Sequence, residues 1–290
     1  MKPIPDCVPD ALAMIIATAK AVSDDDFIHR KVLLKVMGEI AEDGDLGTNP
    51  ADLYLQCWEI ACRALGVKDP YENEKARGDK TALGVLRLLQ EKQTCGETEP
   101  LRMALKTSFA GAMLDFSGLG RSDMEEKIAE YFRASPARDD TEELLAAIQR
   151  AESVMLVANR AGEIAMDKPL AEVIAAMGKQ VYLVVAAKPT FLMATEKDAE
   201  TAGLCGIDGV NVVNPGTAMY GLVQERASSE FRGLMSEVGL VIVKGSTHFS
   251  TMTPQRDLFF ILKASQEEVA THLEIPAGKG AIVKMSASGE

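Results

Sequence analysis

Two periodicities divide the chain. From about residue 9 to residue 150, apolar residues recur at spacings of three and four, the period of a helix with one buried face. From residue 152 onward the pattern changes to short, continuous runs of valine, isoleucine and leucine separated by helical segments, as expected of strands covered on both faces. In the first half the punctuation predicts helices over 50–66, from 69–72 to about 91, over 100–116 and over 140–151, with a loop at 117–120 and no strand. Asn49, Pro50 and Asp52 supply an N-cap, a proline at the first helical position and an acid in the first turn. In the second half strands are expected over 153–158, 180–187, 209–213, 239–244, 257–263 and 281–285. The helices between them fall at 163–177, 195–202, 216–224, 228–237 and 265–273. The predicted architecture is α/β: a three-layer α/β/α, Rossmann-like, mostly parallel sheet over 151–290, with an all-helical N-terminal subdomain over 1–150.

The stretch 153–193 organises this picture. It reads as strand, tight turn at Asn159, Arg160, Ala161 and Gly162, helix, then strand. The right-handed crossover rule makes the two strands parallel neighbours, and ligands in such sheets bind beyond the carboxyl ends of strands. Polar residues stand just past three strand ends: Asn159, Arg160 and Gly162; then Asn214, Pro215, Gly216 and Thr217; then Lys244, Gly245, Ser246, Thr247 and His248. Together they predict a crevice of cations, hydroxyls, an imidazole and helix N-termini suited to a phosphate or carboxylate. Taken singly, each also fits an ordinary strand end. Glu163 and Asp167, four apart, share a helix face and are candidates to position a water or a metal-bound group; solvated or capping acids would show the same spacing. His248 is the candidate to titrate near neutrality, or else a structural histidine. His29 and His272 sit in helical patterns as surface or packing residues.

Charge narrows the partners. A formal net charge of −12 argues against duplex nucleic acid and anionic membranes, which require clustered basic surface. Cys7, Cys57, Cys62, Cys95 and Cys205 form no paired motif and predict reduced thiols. With no apolar signal core near Met1 and no apolar run of membrane-spanning length, a cytoplasmic location is expected. The methionines and the single Trp58 read as core filling. No P-loop, zincin, nucleophile-elbow or zinc-type cysteine pattern is present.

The order of motifs resembles the damage-control phosphatase family, metal-dependent phosphatases with an acidic-residue-methyltransferase-like domain. The resemblance spans nearly the whole chain. It is carried by Asp69, Pro70, Tyr71 and Lys75; by Ala104 and Leu105 through Ala110, Gly111, Asp115 and Phe116; and by Gly162, Glu163, Asp167 and Lys168. Pro215, Gly216 and Thr217, then Lys244 and Gly245, then Phe260 and Lys263 through Gly278 complete it. The resemblance implies a Rossmann-like domain, a helical N-terminal portion, and a divalent ion such as Mn²⁺, Co²⁺, Ni²⁺ or Mg²⁺ used to hydrolyse small phosphometabolites.

The departures from that family pattern fall on its chemistry. Where the family has Asp-Asn at the first strand end, this chain has Ala158 and Asn159; where it has Asn-Asp-Ala-Thr, this chain has Leu192, Met193, Ala194 and Thr195. Its Ala-Gly-Asn appears as Ala110, Gly111 and Ala112, and its asparagine after the lysine-glycine pair as His248. Cys7 and Asp10 stand at its paired cysteines, and Lys263 and Ala264 at its Lys-Cys. Hard dications are held chiefly by carboxylate oxygens, which alanine and methionine lack. The expectation is therefore a divergent member with a degenerate metal site and no cofactor, in which Asn159 is a metal ligand only if an ion is present. It keeps a crevice for a small anionic or phosphorylated metabolite, with Glu163, Asp167 and His248 as the candidate catalytic groups. Two rival expectations are an active phosphatase with a shifted metal site, using one of those four ions, and a structural or interaction subunit.

Overall fold

The computed structural model describes residues 4–43, 49–93, 99–116, 127 and 130–287. Cys95 and the loop expected at 117–120 lie outside the described residues. Among the described residues the N-terminal half contains α1 (Ile4–Val22), α2 (Asp26–Asp43), α3 (Pro50–Leu65), α4 (Glu72–Gln93), α5 (Pro100–Met113) and α6 (Thr141–Arg150). Local chemistry sets the ends of α3. Asn49 Oδ1 accepts the Ala51 N–H at 2.9 Å while the Asn49 N–H reaches back to Asp52. Gly66, at φ 70°, then closes the helix in the left-handed region, where a side chain would be strained.

The α/β layer follows as β2 (Ser153–Val157), α7 (Glu163–Ala176), β3 (Gln180–Val184), α8 (Glu196–Thr201), β4 (Val210–Val213), α9 (Ser229–Glu237), β5 (Leu240–Lys244), α10 (Ser246–Thr251), β6 (Leu258–Lys263), α11 (Glu267–Leu273) and β7 (Gly280–Met285). With β1 (Arg138–Asp139) these strands form one sheet in the order β1-β7-β6-β5-β2-β3-β4. The β2–β3 crossover is parallel, in register from Ser153 opposite Gln180 to Val157 opposite Val184, and β7 runs antiparallel to β6. Alternation along β2 shows the layering. Val154, Leu156 and Ala158 enter one apolar core with Ile164 of α7 and Leu105 of α5, while Met155 and Val157 enter a second core with Phe231 of α9 and Val269 of α11. Each fully buried aliphatic side chain in these cores contributes about 1.5–3 kcal/mol of transfer free energy.

The first three helices bury their own cluster, including Ile15, Val36 and Leu53. Trp58, Tyr71 and Phe191 join them to the α/β layer, with the Trp58 and Phe191 rings 4.5 Å apart. Of the described residues, no helix is long and apolar enough to cross a membrane.

Three details differ from the sequence expectation. The helix expected over 216–224 is irregular chain ending in one 3-10 turn, Gln224–Arg226, because Gly216 and Gly221 both adopt positive φ and break the helical path. Conversely, α10 forms directly after β5, where no helix was predicted. The two-residue β1 pairs with the edge of β7 inside the half expected to lack strands, and a segment that short carries no readable period.

Candidate active site

The first two turns of α7 carry the site's acids to the end of β2. Glu163 and Asp167 are both buried, and their shared helix face meets Lys244, the last residue of the adjacent strand β5, which is also fully buried. Lys244 Nζ lies 2.5 Å from Asp167 Oδ1 and 3.2 Å from Glu163 Oε1, and it donates to the Ser108 carbonyl and hydroxyl at 2.9 Å each. Ser108, on α5, donates its own hydroxyl to Asp167 Oδ1 at 2.6 Å. Asn159 places its amide nitrogen 2.7 Å from Glu163 Oε2. Gly245, at φ 90°, is required beside it, since a Cβ there would run into the Asn159 amide.

Burial raises the Asp167 carboxyl to about 6 and the charge of Glu163 adds to this, while Lys244 and the Ser108 hydroxyl oppose it. Burial alone would lower the Lys244 ammonium, but Asp167 and Glu163 outweigh it and hold the group above its ordinary value. At neutral pH the cluster is therefore an ammonium clasped by carboxylates. This corrects the expectation that Lys244 offers positive charge to a crevice, because a buried cation keeps its protein partners. Ser108 escaped the sequence reading; it lies inside the Ala104 to Asp115 motif, but nothing local marks a serine as the partner of a lysine in another element.

His248 is corrected as well. It is fully buried, its Nε2 lies 3.2 Å from the Ala158 carbonyl oxygen, and burial pushes its pKa down to about 4, so at neutrality it is a neutral ring. The helix N-terminus at Gly162, expected to attract a ligand anion, already holds one of the protein's own carboxyl groups. The Gly162 N–H donates to Asp79 Oδ1 at 2.6 Å. Asp79 is buried, which lifts its carboxyl to about 7 against the pull of that hydrogen bond, and the charge and hydrogen bond of Asp198 lift it further. Asp198 in turn takes the Thr195 N–H at 2.7 Å and the Thr195 hydroxyl at 2.6 Å.

What remains open at the strand end is a small cleft beside exposed Arg160 and the buried Lys75, with Glu74, Asp115 and Glu163 also on its walls. Lys75 is paired with Asp69 at 3.0 Å. The cleft measures about 20 Å³, enough for one water and too small to enclose a phosphate. Pro215, Gly216 and Thr217 follow β4, three strands away from β5, and their bonds are local: Gly216 N–H to Asn214 Oδ1 at 3.0 Å, and Ser228 N–H to the Pro215 carbonyl at 2.9 Å. Ser246 opens α10, and its carbonyl accepts the Ser250 hydroxyl. The structure thus gathers Asn159, Glu163, Asp167, Lys244 and Gly245 and does not draw 215–217 into that cluster.

The donor set does not suit a hard dication. The Ala158 side chain faces the core shared by α5 and α7, and Met193 faces the opposite core, so neither points toward Glu163. The residue that turns toward the cluster from the end of β2 is Asn159, one position beyond the alanine singled out by the sequence. Its amide donates a proton to Glu163 where an ion would require an electron pair, and Glu163 Oε1 faces Lys244. Among the described residues no three histidine, cysteine, aspartate or glutamate side chains converge on one metal position.

A mostly parallel sheet with helices on both faces, a helical N-terminal part, and buried acids leading the first crossover helix define a Rossmann-like α/β protein with a helical subdomain. Sequence comparison makes this specific: the family model of the damage-control phosphatase ARMT1-like domain matches residues 4–280, and the chain belongs to that family. It is 27% identical to a damage-control phosphatase of Pyrococcus horikoshii, over 96% of this chain and 95% of that protein. It is 26% identical to a damage-control phosphatase of Archaeoglobus fulgidus, over 96% and 97% respectively. An uncharacterized protein of Methanocaldococcus jannaschii is 25% identical, over 97% of this chain and 94% of its own length. The crystal structure of a DUF89 family protein from Pyrococcus horikoshii superposes with a TM-score of 0.86 at 26% identity, covering 99% of this chain and 100% of that one.

Proposed function

We propose that this chain is a damage-control phosphatase family protein that has lost metal-dependent hydrolysis and acts by binding a small phosphorylated or otherwise anionic metabolite. The observation that carries the reading is the side chain at the end of β2: Asn159 gives a hydrogen bond to Glu163 at 2.7 Å, and Arg160 beside it is an exposed cation. A dication beside Asn159 would meet a Glu163 carboxylate already engaged by the Asn159 amide and by Lys244, with the positive charge of Arg160 next to it, whereas a phosphate at the mouth meets the guanidinium; Glu74 and Asp115 also line the cleft. Because the adjoining cleft is too small to enclose a phosphate, the anion in this reading lies at its mouth against Arg160, with the body of the ligand outside. The metabolite class is supported by the phosphatase names of the relatives. Cys7, Cys57, Cys62 and Cys205 form no disulfide, which fits a cytoplasmic setting.

The test has two arms. Turnover of p-nitrophenyl phosphate by the purified protein is expected to stay at the blank level and not to rise with Mn²⁺ or Ni²⁺. Activity that rises with either ion and vanishes with chelator would establish the phosphatase with a shifted site instead. Calorimetry with inorganic phosphate is expected to show binding that Arg160→Ala weakens by about tenfold, the loss of a charge-assisted contact worth about 1.4 kcal/mol. Equal binding by the variant would remove Arg160 from the reading.

A further inference from the structure

The β1–β7 edge of the sheet carries a cavity that the strand-end cluster does not use. It measures about 280 Å³, near the lower end of the range for sites that hold small organic molecules. Its walls come from α5, the first turn of α6, Ile282 of β7 and the chain over 133–139. The short β1 fixes that last wall: the Ala137 N–H donates to the Gly280 carbonyl and the Asp140 N–H to the Ile282 carbonyl, at 2.8 Å each. Leu105 and Phe109 of α5, with Ile282, border the cavity from the core and give it an apolar floor.

Three cations and two acids line the cavity, and they are not equally committed. Arg102 and Glu142 form a two-pronged pair, at 2.6 and 2.8 Å, and cancel each other. Asp139 turns to its own backbone, where Oδ1 accepts the Thr141 N–H at 3.0 Å. Among the described residues, Lys106, one helical turn after Arg102, and Arg133 make no hydrogen bond or ion pair. With Asp139 counted, the lining carries one surplus positive charge in a protein whose formal net charge is −12. A monoanion balances that surplus, and a carboxylate carries one charge at neutral pH where a phosphate carries up to two. We infer that this cavity binds a small organic carboxylic acid, its carboxylate held by Lys106 and Arg133 and its compact apolar body against Leu105, Phe109 and Ile282. The hydroxyls of Ser135 and Thr141 are further donors on the lining. No part of this rests on the phosphate reading above: Arg160 follows β2, three strands away from β7.

Benzoate and benzamide share one shape and differ in charge, and they test the idea on the full chain carrying Arg160→Ala, in which the other anion site is removed. Ligand-observed NMR titration at pH 7 is expected to give benzoate binding in the millimolar range or tighter, with benzamide at least tenfold weaker. Adding Lys106→Ala and Arg133→Ala, both at exposed positions, is expected to weaken benzoate at least tenfold. Ser135→Trp, also at an exposed position, fills the cavity and is expected to abolish binding. Glu142→Gln releases Arg102 from its partner and is expected to tighten benzoate at least threefold. Benzamide binding as tightly as benzoate overturns the proposal. So does benzoate binding that is absent from the Arg160→Ala protein, unchanged by the loss of Lys106 and Arg133, intact after Ser135→Trp, or no tighter after Glu142→Gln.

Discussion

Two pairs of buried acids flank the start of α7 and keep their negative charge out of water by different means. Glu163 and Asp167 close on Lys244, so a cation inside the protein neutralises them. Asp79 and Asp198 face each other, the charge of buried Lys75 offsets their repulsion only weakly, and a proton serves in place of a cation. Desolvation is common to both pairs, and the partner decides its outcome. Where a lysine arrives from the neighbouring strand it opposes burial, and Asp167 rises only to about 6; where Lys75 acts only weakly, Asp79 rises to about 7. Asp167 is thus mostly ionised at neutral pH and takes up a proton below about 6, whereas Asp79 changes state at neutrality itself.

Removing the cation breaks the contrast most severely. Lys244→Met leaves two buried carboxylates facing each other and is expected to cost about 3–5 kcal/mol, read as a lower urea midpoint at pH 7. Part of the loss should be recovered at pH 5, where the freed acids take up protons; equal destabilisation at both pH values would show that packing, not charge, made the difference. Next in size, Gly245→Ala strains a backbone at φ 90° and pushes the Asn159 amide off Glu163, for a loss of about 1–3 kcal/mol in the same measurement.

One carboxyl of each pair responds to pH. Folded Asp79 and Asp167, raised to about 7 and about 6, keep protons that the unfolded chain releases near 4, so the native state binds more protons between those values. Stability contributed by these groups is present at low pH and declines as pH rises through the folded values. His248, lowered to about 4, acts in the opposite direction, since the unfolded chain protonates it first as pH falls. Comparison of a variant with the parent protein separates the two effects. Asp79→Asn retains an acceptor for the Gly162 N–H and adds a donor toward Asp198, and it needs no proton. It is expected to be more stable than the parent by on the order of 2 kcal/mol at pH 8 and about equal at pH 4, by denaturant titration at each pH. A pH-independent difference would mean that Asp79 does not titrate in this range.

The smallest expected effect is a gain. Asn159→Asp is expected to create weak Mn²⁺ uptake by calorimetry, because position 159 already faces Glu163, whereas Ala158→Asp or Met193→Asp only buries a carboxylate in a core and is expected to lower the melting temperature without binding metal. Uptake by the Ala158 variant and not by the Asn159 variant would reverse the assignment of which residue faces the cluster.

The sequence by itself determined the layering, the parallel crossover from β2 to β3, the ends of α3, and the acids that would share a face of α7. These depend on interactions within about ten residues: the alternation of a strand, the spacing of a helix turn, a capping side chain two or three positions from its N–H. It also marked polar residues past three strand ends without settling what each one meets. That Lys244 is clasped by Asp167 and Ser108, that Asp79 caps α7 from α4, that His248 lies buried beneath Ala158, and that Asn159 rather than Ala158 turns toward Glu163 were decided only by tertiary structure. The reason is physical: the state of a buried charged group is set by whichever groups exclude water from it, and here those groups come from elements separated by dozens of residues, brought together by the order of strands in the sheet and the docking of α4 and α5 onto α7.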